Sequence, residues 1–200
     1  AFYQCHSLKS LRIGQNVIEI GKEAFYFCSN LAGSLTIPNS VSILGESAFY
    51  YCTHLNGSLT LSSSLQEIPK ECFYYCHLIK TVTIPDNVAE IHENAFYECR
   101  DLSRLKLPTN LSLLKSGAFY NCHDITGEIR IPENVSKIEE VTFFCCYNIT
   151  SLILSSQVTE IERSAFYECS SLTTISFNSN LSTIGESAFD HSSIERLFIP

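Results

Sequence analysis

The residues best equipped for chemistry are Cys72 and Cys76, separated by three residues, with His77 directly after them. Thiolate and imidazole are zinc ligands, and two neighbouring thiols can cycle through a disulfide. Cys145 and Cys146 form a second cysteine pair. His6, His77 and His123 each follow a cysteine, and the 200-residue chain holds ten cysteines in all. Metal binding, thiol redox chemistry and a disulfide framework therefore have to be weighed first.

The spacing argues against all three. The cysteines belong to a recurring Ala-Phe-x-x-Cys pattern whose phenylalanines are Phe2, Phe25, Phe49, Phe73, Phe96, Phe119, Phe143, Phe166 and Phe189. Successive anchors are 23 or 24 residues apart. Eight of the nine carry a cysteine three residues on: Cys5, Cys28, Cys52, Cys76, Cys99, Cys122, Cys146 and Cys169; the ninth has Ser192. A small, weakly polar thiol at one register in every unit reads as a buried packing residue. Cys72 stands where most units hold alanine, and Cys145 is one extra thiol beside the ladder. These two depart most from the pattern, so reactivity is expected there. Side chains that point the same way make a disulfide torsion hard to reach between ladder neighbours. The histidines of units 1, 4 and 6 cannot meet at one ion, and His54 with His77 completes no ligand set, so no metal and no cofactor is expected. No G-x-S-x-G elbow, phosphate loop or paired-carboxylate motif occurs, and no catalytic residue is assigned.

Composition narrows the class further. Hydrophobic residues make up 45% of the chain and charged residues 17%, the balance of a globular protein. A net charge of −8 argues against nucleic acid as a partner. No apolar run reaches the roughly 18 residues needed to cross a bilayer, so no membrane insertion by this segment is expected. The chain opens at "AFYQC" without an initiator methionine, and its ends fall inside a repeat; the expectation is a slice of a longer array.

The unit itself predicts the elements. In Leu102-x-x-Leu105-x-Leu107 the last two apolar residues alternate, as in a short strand with one buried face. Pro38, Pro85, Pro108, Pro132 and Pro200 close that strand in their units. Val88-x-x-Ile91 turns inward again, and Ile91, Ala95/Phe96 and Cys99 follow about four apart, the spacing of a short helical or 3₁₀ piece. One unit cannot bury its own apolar residues, but a stack can. The expected fold is an α/β repeat: residues 1–200 as one solenoid of eight to nine units, with a parallel concave sheet and short helical segments on the convex side. Gly33, Gly57 and Gly127 occur in the units that are one residue longer, where a glycine bulge absorbs the extra residue. A row of aromatic residues after eight of the nine phenylalanines (Tyr3, Tyr26, Tyr50, Tyr74, Tyr97, Tyr120, Phe144, Tyr167) is expected to form a half-buried spine.

The units closely resemble the BspA-like leucine-rich repeats: "NLAGSLTIPNSVSILGESAFYYC" and "SLTTISFNSNLSTIGESAFDHS" read as that pattern. The resemblance covers the whole chain. It implies a leucine-rich repeat solenoid, a cell-surface or secreted location, and adhesion to host or microbial surface macromolecules.

Alternation places one set of strand residues on the open side of the sheet. It includes Arg12, Thr36, Thr60, Thr83, Arg104, Lys106, Glu128, Arg130, Ser176 and Arg196. Five of these are basic and one is acidic, on a chain that is acidic overall. A basic strip on an acidic body steers acidic partners. The expectation is a non-enzymatic binding module whose concave face takes a protein or glycan ligand, with its footprint centred on Arg104, Lys106 and Arg130. The alternative is a structural spacer carrying another domain.

Overall fold

The computed structural model describes residues 1–199; Pro200, assigned above to the strand-closing prolines, lies outside the described residues. Each unit forms one coil, and each coil hydrogen-bonds to the next. Alternate side chains of the short extended segments point inward, so each segment becomes a parallel strand against its neighbour 23 or 24 residues away.

There are two strand columns rather than the single one expected. Numbered in chain order across both, the first column holds β2 (Leu35–Thr36), β4 (Ser58–Thr60), β6 (Thr81–Thr83), β9 (Gly127–Arg130), β11 (Ile149–Ile153) and β13 (Thr174–Ser176). The second holds β1 (Glu19–Ile20), β3 (Ile43–Leu44), β5 (Glu67–Ile68), β7 (Glu90–Ile91), β8 (Leu113–Leu114), β10 (Lys137–Ile138), β12 (Glu160–Ile161) and β14 (Thr183–Ile184). Every pairing is parallel, with Leu35 opposite Leu59, Leu59 opposite Val82, Ile129 opposite Leu152, and Ile68 opposite Ile91, and the β9–β11 pair alone shifts register.

The first column is not continuous. It forms the sheets β2-β4-β6 and β9-β11-β13, and the coil between them contributes only a bridge from Thr81 to Arg104. Backbone rungs join Ile37 to Thr60, Leu61 to Thr83, Ile131 to Ile153 and Leu154 to Ser176 at 2.9–3.3 Å. Among the described residues no matching rung leaves Ile84 or Leu107.

The expected helical segments do not form. Residues 21–28 instead trace an arc of turns. Ala24, Tyr26 and Cys28 donate to the carbonyls of Gly21, Glu23 and Phe25, three residues back. The intervening Glu23, Phe25 and Phe27 donate to Glu46, Ala48 and Tyr50 of the next coil at 2.8–2.9 Å. A helix would spend every N–H within its own segment; this arc spends alternate ones on its neighbour and so welds the coils together. It requires left-handed backbone at two positions per coil. One column runs Glu23, Ser47, Glu71, Asn94, Gly117, Val141, Ser164, Ser187, with φ between 52° and 64°. The other runs Phe27, Tyr51, Tyr75, Glu98, Asn121, Cys145, Glu168, His191, with φ between 54° and 63°. Left-handed backbone costs a non-glycine residue about 1–2 kcal/mol, a cost the inter-coil bonds and the buried core offset.

Inside the arc lie two unbroken columns. The phenylalanine rings from Phe2 to Phe189 stack with centroids 5.1–5.5 Å apart. Phe49 through Phe166 are fully buried, Phe2 at the first coil is exposed, and Phe189 at the last is half-buried. The ladder cysteines are buried from Cys28 to Cys169, and each donates its S–H to the phenylalanine carbonyl of the previous coil at 3.1–3.3 Å. Gly33 and Gly127 take φ of 89° and 90°, as the bulge reading requires, and a register shift lies opposite Gly127. Gly57 differs: it is not left-handed, and a Cβ there would collide with Ser34.

Candidate functional site

The first strand column orients the candidate binding residues. Leu35, Leu59, Ile129 and Leu152 point into the core, so their neighbours point out. Arg12, Thr36, Thr60, Thr83, Arg104, Lys106, Glu128, Arg130, Ser176 and Arg196 are all exposed. Four of them, Arg12, Arg104, Lys106 and Arg196, lie in coils without a strand in this column.

The basic strip is partly neutralised on the spot. Arg130 Nε sits 2.5 Å from the Glu128 carboxylate, its neighbour on the same face of β9. Lys106 Nζ lies 3.5 Å from Asp86, whose carboxylate also accepts the Thr109 N–H at 3.1 Å. The Thr109 bond first, and the Lys106 charge after it, hold the Asp86 carboxyl below its ordinary pKa. Among the described residues Arg104 has no carboxylate within ion-pair distance. Of the five basic residues of the strip, Arg12, Arg104 and Arg196 are therefore the ones without a carboxylate partner among the described residues.

Where the column is interrupted the coils part into an open cleft of about 450 Å³. Leu105, Leu107, Ile129 and Ile153 form apolar walls, and Lys106, Glu128 and Arg130 stand at its polar side. Lys106, Glu128 and Arg130 are among the residues expected from the sequence, but the cleft itself escapes a sequence reading, because Leu105-Lys106-Leu107 alternates as well as Ile129-Arg130-Ile131 does. Only the missing rung separates the two.

The thiols are structural. All ten cysteines are free. Cys72, expected to be reactive, is fully buried, and burial pushes its pKa well up. Cys145 is also buried; burial, with the Glu168 carboxylate 3.3 Å from its sulfur, raises its pKa to about 11. The exposed thiol is Cys5. The aromatic row is a half-buried stack with centroids 4.4–4.8 Å apart from Tyr26 to Tyr167, and burial lifts the Tyr50 hydroxyl to about 12. Beside it the second left-handed column changes from aromatic to polar at Glu98. That carboxylate is buried, 2.5 Å from Arg100 Nε and 2.7 Å from Asn121 Nδ2.

The BspA type leucine rich repeat family model matches residues 1–126 and 90–200, with six copies. A leucine rich cell surface protein from Faecalibacterium prausnitzii is similar over 100% of this chain, at 27% identity and a TM-score of 0.61; the chain spans only 63% of that protein. A leucine rich repeat protein of T. pallidum matches 82% of this chain and 78% of its own length, at 26% identity and a TM-score of 0.72. The pneumococcal vaccine antigen PcpA shares the fold over 90% of this chain, at 17% identity and a TM-score of 0.63. No curated protein matches. With the family model spanning the chain and the coils in register, the protein belongs to the BspA-type leucine-rich repeat family.

Proposed function

We propose that residues 1–200 act as one non-enzymatic binding solenoid of a surface protein, part of a longer array, mediating adhesion to host or microbial surface macromolecules. The observation that carries this reading is the set of exposed polar side chains along the outer face of the first strand column and the coils that continue it, from Arg12 to Arg196. Such a row offers many weak contacts to an extended partner. The cleft beside Lys106 is open and shallow, which suits a protruding group of a macromolecule better than an engulfed small substrate. The partner is a protein or glycan bearing acidic groups, met first by Arg104 and Lys106 and then by Arg130. Kinship with a protein described as a cell surface protein supports the location.

The test is binding of this chain to immobilised heparan sulfate and to host cell-surface protein extracts by surface plasmon resonance. Saturable binding that falls at least about tenfold when Arg104, Lys106 and Arg130 are replaced together by serine, and that weakens with salt, is expected. Saturable binding unchanged in the triple variant removes these residues from the footprint. Absence of saturable binding favours the spacer.

A further inference from the structure

We propose that Glu67, Glu90 and His92 form a three-ligand site for a divalent transition cation of the zinc type. The site lies on the second strand column, away from the proposed binding face. Glu67 and Glu90 are directly paired in register between β5 and β7. Ile91 points into the core, so Glu90 and His92, on either side of it, both point out. The His92 N–H donates to the Ile68 carbonyl at 3.0 Å and fixes its backbone beside the neighbouring strand. Two ligands thus come from one coil and the third from the coil before it.

The donor atoms already converge. His92 Nε2 is 3.1 Å from a Glu67 oxygen and 3.2 Å from a Glu90 oxygen. Zinc–ligand bonds of about 2.0–2.1 Å put tetrahedral ligand atoms about 3.3 Å apart. All three donor atoms lie within 4.8 Å of one another, and both carboxylates are exposed enough to swing inward. The fourth position is left to water.

Charge supplies the independent argument. Some carboxylates of other coils are matched by lysine, Lys22 with Glu46 and Lys115 with Glu139 at 3.0 Å, and Lys137 with Glu162 at 2.5 Å, while others, such as Glu19 and Glu160, have no ion-pair partner among the described residues. Among the described residues neither Glu67 nor Glu90 pairs with lysine or arginine. Like charges directly opposite on neighbouring strands repel. A divalent cation cancels both, and the imidazole selects a transition metal over calcium or magnesium, which favour all-oxygen sites. Bound there, the ion staples the third coil to the fourth.

The experiment is titration of the chain with Zn²⁺ by calorimetry and with Co²⁺ by visible absorption, in a Cys5→Ser background that removes the exposed thiol. The expected result is one equivalent bound, a cobalt spectrum without thiolate charge transfer, and no competition from Ca²⁺. His92→Ala weakens binding at least about tenfold, and so does Glu67→Gln with Glu90→Gln, with circular dichroism unchanged. The proposal is overturned if no equivalent binds, if both variants bind as the parent does, or if sulfur ligation dominates the cobalt spectrum. The glutamine pair keeps the proposal testable should His92→Ala misfold.

Discussion

The Sγ of Cys99 donates to the carbonyl oxygen of Phe73 one coil back, at 3.3 Å, while the same oxygen accepts the Cys76 N–H at 3.2 Å. One carbonyl thus serves its own turn and ties the next coil to it. The same arrangement recurs from Cys28 to Cys169. Cys99→Ala removes the donor and leaves a small void where the site is fully buried. The expected cost is about 1–2 kcal/mol, roughly 1 for the bond and the remainder for lost packing. Urea unfolding followed by circular dichroism reads it as a lowered midpoint; an unchanged midpoint means the sulfur contact stabilises nothing.

Thiol titration should show one fast cysteine and nine slow ones. Cys5 is exposed, whereas the other nine are buried. Burial keeps Cys72 protonated, and at pH 8 a thiol whose pKa is raised to about 11, as at Cys145, is almost wholly protonated too. With Ellman's reagent the native protein gives a burst of one equivalent, abolished by Cys5→Ser. A second burst equivalent lost in Cys145→Ser would show that the Glu168 contact does not protect that thiol.

Mild acid should weaken the fold through two histidines. His77 and His123 have pKa values below the ordinary 6.5, from burial first and from the Arg100 charge second. The native state therefore refuses a proton that the unfolded chain accepts. Stability falls as pH drops below 6.5 and stops falling from this cause once the lower folded-state values are passed. Replacing both with glutamine should flatten the stability profile between about pH 7 and 5. An unaltered slope in thermal melts would assign the acid sensitivity to other groups.

Much of this architecture was legible because burial imposes a period. Phe73 and Cys76 recur at one register since every coil presents the same inward arc to its neighbours. The arc's conformation was not legible. Ile91, Ala95 and Cys99 lie four apart whether the chain makes a helix or successive turns, and the left-handed positions hold residues such as Tyr51 and Val141 rather than a telltale glycine. The second strand column was missed because pairs such as Glu90–Ile91 are too short to show alternation. Among the candidate binding residues, exposure was readable from alternation at Thr60 and Arg130. The loss of pairing around Lys106 was not, because Leu105-Lys106-Leu107 alternates just as the paired segments do.

The stacking of the coils depends in places on the absence of a side chain. Gly45 donates to Ile20 at 2.7 Å, and a Cβ on it would press into the backbone of Gly21 and Lys22 in the previous coil. Those are backbone atoms, so relief needs the coils to separate rather than a rotamer to change. Gly14 has nothing within 4 Å of its would-be Cβ. Gly45→Ala should therefore destabilise by about 1–3 kcal/mol, whereas Gly14→Ala should be neutral or stabilise by up to about 1 kcal/mol through the unfolded chain. Hydrogen exchange adds the location: in Gly45→Ala the amides of Glu23, Phe25 and Phe27, which donate to Glu46, Ala48 and Tyr50 beside Gly45, should lose protection first. If the two alanine variants melted together, or if protection were lost uniformly along the chain, close approach at Gly45 would not be what sets the spacing of the first two coils.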